Sequence, residues 1–334
     1  ENVAYSAGGI YIENSSVTLT NIHVTDNTAS SSGGGIRLDG TPTIIITNSD
    51  ISGNNTGGGG GGIRASSGSL SLSNSTILDN SAAYAGGILL ETAATLSNCV
   101  ITGNSSTGSE SGGGGIRCVN SQGDISIIHT TIADNISNTG GGGVDLFYGG
   151  ANSTRVSLFN SIVYGNSSPN VYNSSEWPSS LIVSHSDIEG GWLGDSNVDT
   201  DPSFIDLSNS EFMLNNNSIC IGTGLDTTIV PATDIDGNPR PNPAGSNPDM
   251  GAYEHDQSEP RLPVVVYVPD DFSDIQSAVT SAFSGDTIYV RPGTYNQTVG
   301  IVDKDIFLLS TEGPYSTIFS GGSLWMMNSN STVE

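Results

Sequence analysis

A Gly-Gly pair followed by an aliphatic residue recurs every 25 to 28 residues through the first half of the chain. The aliphatic residues that follow the pairs are Ile10, Ile36, Ile63, Ile88, Ile116 and Val144. A second pattern keeps the same phase, with one asparagine six positions before another, as in Asn21 and Asn27 or Asn48 and Asn54. A fixed period of about 20–50 residues indicates a solenoid, a propeller or an array of repeats.

Each repeat contains short segments in which apolar and polar residues alternate, such as residues 17–20 and 70–73. Alternation with a period of two predicts strands, and no repeat contains an apolar pattern long enough for a helix. Short strands joined by corners rich in glycine and asparagine predict an all-β fold, a parallel β-helix solenoid. We expect the Gly-Gly pairs to supply backbone angles closed to other residues, and asparagine to occupy left-handed corners.

The second asparagine of each pair is predicted to form a ladder, in which each amide bonds to the amides of the coils above and below. The predicted ladder residues are Asn27, Asn54, Asn80, Asn104, Asn135 and Asn166. His129 stands where its coil should carry the first asparagine of the pair. An alternative is that these asparagines are simple hairpin-turn residues, which their constant phase with the Gly-Gly pairs disfavours.

The pattern Gly-Gly-Ile … Asn-Ser-x-Ile-x-x-Asn resembles the right-handed parallel β-helix repeats of the pectate-lyase-like superfamily. More narrowly, it is similar to the polymorphic-outer-membrane-protein type repeats of large surface proteins. The resemblance covers residues 1 to about 190. It implies a right-handed coil and an extracellular or cell-surface location, but it is weak for activity because such folds host many functions.

The charge balance excludes several partners. With 8 Lys+Arg against 34 Asp+Glu and a formal net charge of −26, the chain lacks the basic surface that nucleic acid or an anionic lipid requires. No apolar run of about 18 residues is present, so we expect no membrane insertion in this segment. The three cysteines, Cys99, Cys118 and Cys220, are predicted to be buried thiols.

The order of the segments is unusual. Residues 1–180 are predicted to be coils, residues 181–255 resemble the C-terminal closing region of such β-helices, and residues 256–263 form a linker with two prolines. Residues 264–334 resemble the N-terminal cap that opens a pectate-lyase-like β-helix, in which one short helix plugs the first coil. The chain is then a window of a tandem array, or residues 264–334 complete a neighbouring subunit, or they dock back on their own chain.

Arg37, Arg64 and Arg117 each follow the aliphatic residue of a Gly-Gly motif, so they are predicted to form an outward-facing row. Lyases of the resembled fold use lysine or arginine as a base, which makes this row the candidate surface for an acidic glycan. The alternative is a solvated face on which nearby acids balance each arginine.

Carboxylates suggest two further kinds of site. Asp187, Asp195, Asp199 and Asp201 are dense enough in hard oxygen ligands to suggest a structural Ca²⁺, and we expect no other cofactor. Asp26, Asp79 and Asp134 precede ladder asparagines in alternate coils, where turn chemistry is favoured over a catalytic pair.

Asn152 and Asn173 lie in glycosylation motifs within loop-like stretches.

Together these features predict an extracellular structural protein of β-helical modules arranged head to tail, with adhesion as a secondary consequence. Its expected partners are other copies of itself and glycans, and we expect no nucleic-acid partner and no enzyme activity. The alternative function is a module that binds or cleaves a polysaccharide.

Overall fold

The structure is a computed structural model that describes residues 2–40, 43–109, 112–119, 123–147, 155–173, 180–302 and 304–334. It divides into two compact units, Glu1–Pro260 and Arg261–Glu334. The boundary between the units lies within the predicted linker of residues 256–263. Each unit is described by itself below.

The first unit is built on four parallel sheets, one of six strands and three of seven. Sheet A contains Val3–Ala4, Thr28–Ala29, Asn55–Gly59, Ser81–Tyr84, Ser105–Ser106 and Ile136–Ser137. Sheet B contains Ile10–Glu13, Ile36–Asp39, Ile63–Ala65, Ile88–Leu90, Ile116–Val119, Val144–Phe147 and Val171–Asn173. Sheet C contains Val17–Thr20, Thr43–Thr47, Ser69–Ser73, Ala93–Ser97, Ile125–Ile128, Arg155–Phe159 and Ser180–Ser184. Sheet D contains His23–Thr25, Asp50–Ser52, Thr76–Leu78, Val100–Thr102, Thr131–Ala133, Ile162–Tyr164 and Asp187–Ile188.

The chain visits sheets A, B, C and D in turn, so each circuit is one coil of a solenoid. We number the coils 1 to 7 by their strand in sheet D. Aliphatic side chains fill the interior in columns; in sheet D, Ile51, Ile77, Ile101 and Ile132 are in register and fully buried. Truncating one such side chain to alanine costs about 2–5 kcal/mol, so these columns hold the coils together.

The structure corrects the reason that we predicted for the Gly-Gly pairs. In five of the six coils a left-handed angle belongs to the residue before the pair, for example Gly33 with φ 65° and Ala85 with φ 58°, and not to Gly35; in the sixth it belongs to Gly140. A Cβ on Gly35 would lie 2.7 Å from the carbonyl oxygen of Gly62 and 2.9 Å from Nδ2 of Asn54. Glycine is therefore needed in the pair because the next coil and the asparagine ladder approach too closely for a side chain.

Residues 199–255, which we call the flank segment, lie along the outside of the solenoid. They contain the antiparallel strands Phe204–Asp206 and Glu211–Leu214 and the 3₁₀ helix Leu207–Asn209. The Asp187–Ile188 strand still belongs to sheet D, so the solenoid continues past the predicted boundary at residue 180.

The flank segment covers the side of coils 4–6. Phe212 and Ala252 form a buried cluster with Val100 and Ala133 of sheet D. A second cluster joins Ile162 of sheet D to apolar residues of the flank segment, namely Leu214, Cys220, Ile221 and Met250. The region that we predicted to close the last coil is therefore in large part a side cover.

The second unit is a short β-helix with one helix. Its parallel strands are Val265–Val268, Thr287–Val290, Phe307–Ser310 and Thr332–Val333 in one sheet, Gly293–Tyr295 with Thr317–Phe319 in a second, and Val299–Val302 with Leu324–Met327 in a third. The helix, Ile275–Ser281, is N-capped by Asp274, whose side chain accepts a hydrogen bond from the backbone N–H of Ser277. Its buried residues Ile275 and Val279 pack into the core of this unit. Within the described residues, no helix combines the length and the hydrophobicity needed to cross a membrane.

Candidate functional site

The arginine row lies on the outer face of sheet B. Strand register places Tyr11, Arg37, Arg64, Leu89, Arg117, Asp145 and Tyr172 side by side on successive coils. From Tyr11 to Asp145 the register of the row follows from the Gly-Gly-aliphatic repeat, because each of these residues comes directly after the aliphatic residue of its motif. Tyr172 follows Val171, which no Gly-Gly pair precedes. The neighbours of each arginine decide what the row can bind.

Arg37 belongs to a network that spans three coils. Its Nε lies 2.8 Å from Oδ2 of Asp39, and Nη1 donates to the hydroxyls of Ser6 and Ser32. The same carboxylate accepts hydrogen bonds from the hydroxyl of Tyr11 in coil 1 and from Ser66 in coil 3. Although burial alone would raise it, the pKa of Asp39 lies below its ordinary value because these donors stabilise the anion.

Arg64 and Glu91 join coils 3 and 4. Nε of Arg64 lies 3.0 Å from Oε2 of Glu91, and the two side chains are 22% and 28% exposed. An ion pair this accessible to solvent contributes about 0–1 kcal/mol.

Arg117 is buried, which corrects the prediction that all three arginines form an outward-facing row. It is only 4% exposed, and its Nε lies 3.3 Å from Oδ2 of Asp145 without forming a well-directed hydrogen bond. Its guanidinium carbon lies 4.6 Å from the ring centre of Phe147 and 5.8 Å from that of Tyr84. Burial lowers the pKa of Arg117, and burial raises the pKa of Asp145, although the arginine partly offsets the second effect.

Each arginine of the row is thus paired with a carboxylate of its own or the next coil. An anionic ligand would have to displace Asp39 or Glu91 to reach the guanidinium of Arg37 or Arg64, and Arg117 is closed to solvent. The geometry suits contacts between coils better than the capture of an acidic glycan.

The six predicted ladder asparagines form one buried column. Nδ2 of each donates to Oδ1 of the next at 2.9 or 3.0 Å, from Asn27 to Asn166. The backbone N–H of each residue donates to the same oxygen, as from Asn54 to Asn80 at 3.0 Å. Each link therefore satisfies buried backbone and side-chain groups together.

The ladder has ends that the sequence did not reveal. Nδ2 of Asn2 donates to Asn27, and Nδ2 of Asn166 donates to Asn170, which lies outside the repeat phase. Nδ2 of Asn170 then donates to Oε2 of Glu189 at 2.9 Å. The column of amide donors therefore ends on a carboxylate, whose charge-assisted hydrogen bonds are stronger than those between neutral groups.

The first asparagine of each pair forms a left-handed corner between sheets C and D. This column is Asn21, Asn48, Asn74, Asn98, His129, Asn160 and His185, with φ between 45° and 55°. Asparagine suits the position because it tolerates the left-handed region. His129 is fully buried, and burial holds its pKa well below the usual value, so it is a neutral packing residue.

The aspartates before the ladder alternate with glycine for a steric reason. Asp26, like Gly53 in the next coil, has a left-handed φ. A Cβ on Gly53 would collide with the carboxylate of Asp26, and one on Gly103 with that of Asp79. Each aspartate thus covers the glycine of the following coil, and the spacing of the aspartates reflects packing rather than a catalytic pair.

The predicted calcium ligands do not converge. Asp187 is fully buried and accepts hydrogen bonds from the backbone of Thr200 and, at 3.4 Å, from Sγ of Cys220. Burial raises its pKa to about 7. Asp199 and Asp201 accept backbone hydrogen bonds from Gly190 and Ser203. Across the described ranges, no three His, Cys, Asp or Glu side chains form a group that could hold a metal ion. The structure therefore gives no support to a calcium site built from Asp187, Asp195, Asp199 and Asp201.

The remaining candidate residues are placed as follows. Asn152 lies outside the described residues, and Asn173 is the half-buried last residue of a sheet B strand. Cys99, Cys118 and Cys220 are buried free thiols, and burial raises the pKa of Cys99 to about 12.

Sequence reasoning missed how the flank segment is attached. Asn160 and Leu225 exchange two hydrogen bonds, from Leu225 N to Oδ1 at 2.9 Å and from Nδ2 to Leu225 O at 3.0 Å. Nδ2 of Asn98 donates to Thr233 O, and Oδ1 accepts from Arg240 Nη1 at 3.3 Å. The corner asparagines of coils 4 and 6 thus attach the flank segment to the solenoid through hydrogen bonds. Their position in the repeat alone does not predict this role.

Comparison with known proteins bears on the fold. Residues 1–132 match a family model described as a right handed beta helix region. The fold is a right-handed parallel β-helix. The crystal structure of pectate lyase Pel9A is similar over 75% of this chain and 88% of that chain, at 14% identity and a TM-score of 0.29, a level that supports no argument about activity. No curated protein matches this sequence. The narrower resemblance to polymorphic-outer-membrane-protein repeats stays a prediction.

Proposed function

We propose that the chain is a structural module of an extracellular surface protein in which β-helical units are stacked head to tail. The observation that carries the proposal is the continuous ladder from Asn2 to Glu189, which links all the coils of the first unit. A net charge of −26 suits a solvated exterior, and adhesion would follow from display of the module at a surface.

The ion pairs of sheet B support a structural role for the arginine row. Arg64 with Glu91 and Arg117 with Asp145 each connect neighbouring coils. Tyr11 and Ser66 reach Asp39 from the coils on either side of it. These side chains bind one another and leave no free cation in the row for a ligand. The row therefore favours a structural role over a module that binds or cleaves an acidic polysaccharide.

The second unit supports the proposed stacking. Leu324 and Met326 are in register with the buried Val299 and Ile301, so they face the interior of the coil. They are nevertheless 38% and 49% exposed, and their strand lies at the edge of its sheet. An exposed apolar strand edge favours pairing with another β-helical coil, and we propose that such a coil, of the same polypeptide or of a second copy, stacks on it.

Light scattering after size-exclusion chromatography of the full 334-residue chain tests this stacking. We expect the mass to rise with protein concentration, because a head-to-tail contact that does not close builds an open polymer. Met326→Asp should abolish the rise, whereas Met327→Asp, at the adjacent outward-facing position, should preserve it. A monomer at all concentrations would contradict stacking between copies.

A binding experiment tests the structural role of the row. Calorimetric titration with oligogalacturonate should give no saturable heat, and Arg64→Ala should lower the free energy of unfolding by at most about 1 kcal/mol. Arg155→Ala, an exposed arginine in sheet C, is the control for charge. Saturable binding that Arg64→Ala removes and Arg155→Ala retains would favour the polysaccharide alternative.

A further inference from the structure

A polar cleft of about 350 Å³ opens on the flank segment, away from the arginine row. Its walls come from residues 213–216, residues 253–256 and five single residues, namely Ile205, Asp234, Asp236, Asn238 and Asn242. This volume lies within the range of about 300–1,000 Å³ that is usual for small-molecule sites. Nothing in the proposed structural role uses the cleft.

The back wall of the cleft is fixed and its charges are satisfied. The carboxylate of Asp234 accepts backbone hydrogen bonds from Asp236, Asn238 and Glu254 at 2.8 to 3.0 Å. Glu254 is paired with buried Arg240 at 2.9 Å. These residues therefore hold two stretches of chain, residues 234–242 and residues 253–256, against each other and fix this part of the cleft.

The rim carries polar groups that the fold does not use. Tyr253, Asp236 and Asn242 line the cleft, and the hydroxyl, carboxylate and amide of these side chains form no hydrogen bond with any described residue. The tyrosine is neutral at ordinary pH, since burial and the nearby acids raise its pKa to about 12. One hydroxyl, one carboxylate and one amide together offer donors and acceptors to a ligand rich in hydroxyls.

The other side of the cleft is apolar. Met213 and Ile205 line it and are 44% and 49% exposed. A sugar ring has an apolar C–H face and a rim of hydroxyls, so it matches a site with one apolar wall and one polar rim.

Charge narrows the ligand class. Asp236 and Asp256 are exposed at the cleft, and the residues that line it include neither lysine nor arginine. Arg240 is buried against Glu254 outside the lining, and His255, which does line the cleft, lies 3.3 Å from Asp256. The accessible charge is therefore negative, and like-charge repulsion disfavours a uronate.

We propose that this cleft binds a neutral saccharide, with Tyr253, Asp236 and Asn242 contacting its hydroxyls and Met213 lying against the ring. This proposal is independent of the proposed structural function, because it concerns a different surface of the first unit.

Saturation-transfer NMR and calorimetry with the full chain test the proposal. The probes are cellotriose, mannotriose, chitotriose and galactotriose, with oligogalacturonate as the acidic comparison. We expect saturable binding to at least one neutral trisaccharide and none to oligogalacturonate. Asp236→Ala and Tyr253→Phe should each weaken the affinity at least about tenfold.

Asp226→Ala is the matched control, since it removes an exposed acid from the same segment outside the cleft. It should leave the affinity unchanged, and thermal unfolding should show that all three variants fold like the parent. No saturable binding to any neutral probe, equal affinity in all variants, or preference for oligogalacturonate would each overturn the proposal while leaving the structural function intact.

Discussion

Coils 1–3 and coils 4–6 have the same interior and different exteriors. In sheet D the inward column is aliphatic in both regions, with isoleucine from Ile51 to Ile132 and valine at Val24 and Val163. The residues that face outward from sheet D are polar in coil 2, where Asp50 and Ser52 flank Ile51. In coil 5, Thr131 and Ala133 flank Ile132, and both are buried under the flank segment.

The corner asparagines show the same difference. Asn48 is exposed, whereas Asn98 is 1% exposed and bonds to Thr233 and Arg240. Both have a φ of 50°. The repeat thus determines the coil, and the outward-facing residues between its fixed positions determine what covers it.

A charged residue buried under the flank segment should give the largest difference in stability between coils 4–6 and coils 1–3. Ala133 is fully buried, and strand register places it in one column with Leu78 of coil 3. We expect Ala133→Asp to lower the free energy of unfolding by about 3–5 kcal/mol, because it buries an unpaired charge. Leu78→Asp should cost no more than about 1 kcal/mol, since this half-buried side chain lets a charge reach solvent. Denaturant titration measures both, and equal losses would show that the cover is not packed as described.

Removing a ladder asparagine should lower the stability by a similar amount in coils 1–3 and in coils 4–6. Asn54 and Asn104 are fully buried, and in each the backbone N–H and Nδ2 donate to the next ladder oxygen while Nδ2 also donates to a carbonyl of the preceding coil. Asn104 makes one further hydrogen bond, from Nδ2 to Thr102 O at 3.0 Å. Asn54→Ala and Asn104→Ala should each cost about 1–3 kcal/mol, since unsatisfied buried groups remain. A clear difference between these two losses in thermal unfolding would mean that the cover contributes to the ladder.

Replacing a corner asparagine should lower the stability only where the flank segment covers that residue. Replacement by glycine keeps the left-handed backbone and removes only the amide. We therefore expect Asn98→Gly to cost about 1–2 kcal/mol through its bonds to the flank segment, and Asn48→Gly to change the stability by no more than about 0.5 kcal/mol. Urea titration of both variants checks this, and a large loss in Asn48→Gly would contradict it.

The flank segment should also give the fold a pH dependence. Burial and the nearby Glu254 raise the pKa of Asp249 to about 7, above the value of about 3.9 in an unfolded chain. This group therefore stabilises the fold fully below about pH 4, and the stabilisation is lost as the pH rises through 7. The free energy of unfolding should fall by about 1 kcal/mol from pH 6 to pH 8 through Asp249, and by less in Asp249→Asn. Identical slopes in the two proteins would exclude this contribution.

The sequence predicted the parts of the molecule that repeat. The coil, the aliphatic columns and the six ladder asparagines are visible because stacking places equal residues at equal positions. The burial of Arg117 was not predicted, since it depends on Phe147 and Tyr84 in other coils. Likewise, the attachment of Arg240 to Asn98 joins residues 142 positions apart without any periodic signal.

Hydrogen exchange of the full chain, followed by mass spectrometry, tests most directly whether the flank segment is an integral part of the first unit. The backbone N–H groups of Leu225, Gly251 and Ala252 donate to coils 5 and 6. We predict that these amides exchange as slowly as those of the Thr131–Ala133 strand that they cover, and that Ala133→Asp accelerates the flank amides. Fast exchange of the flank segment over a protected solenoid would contradict the account.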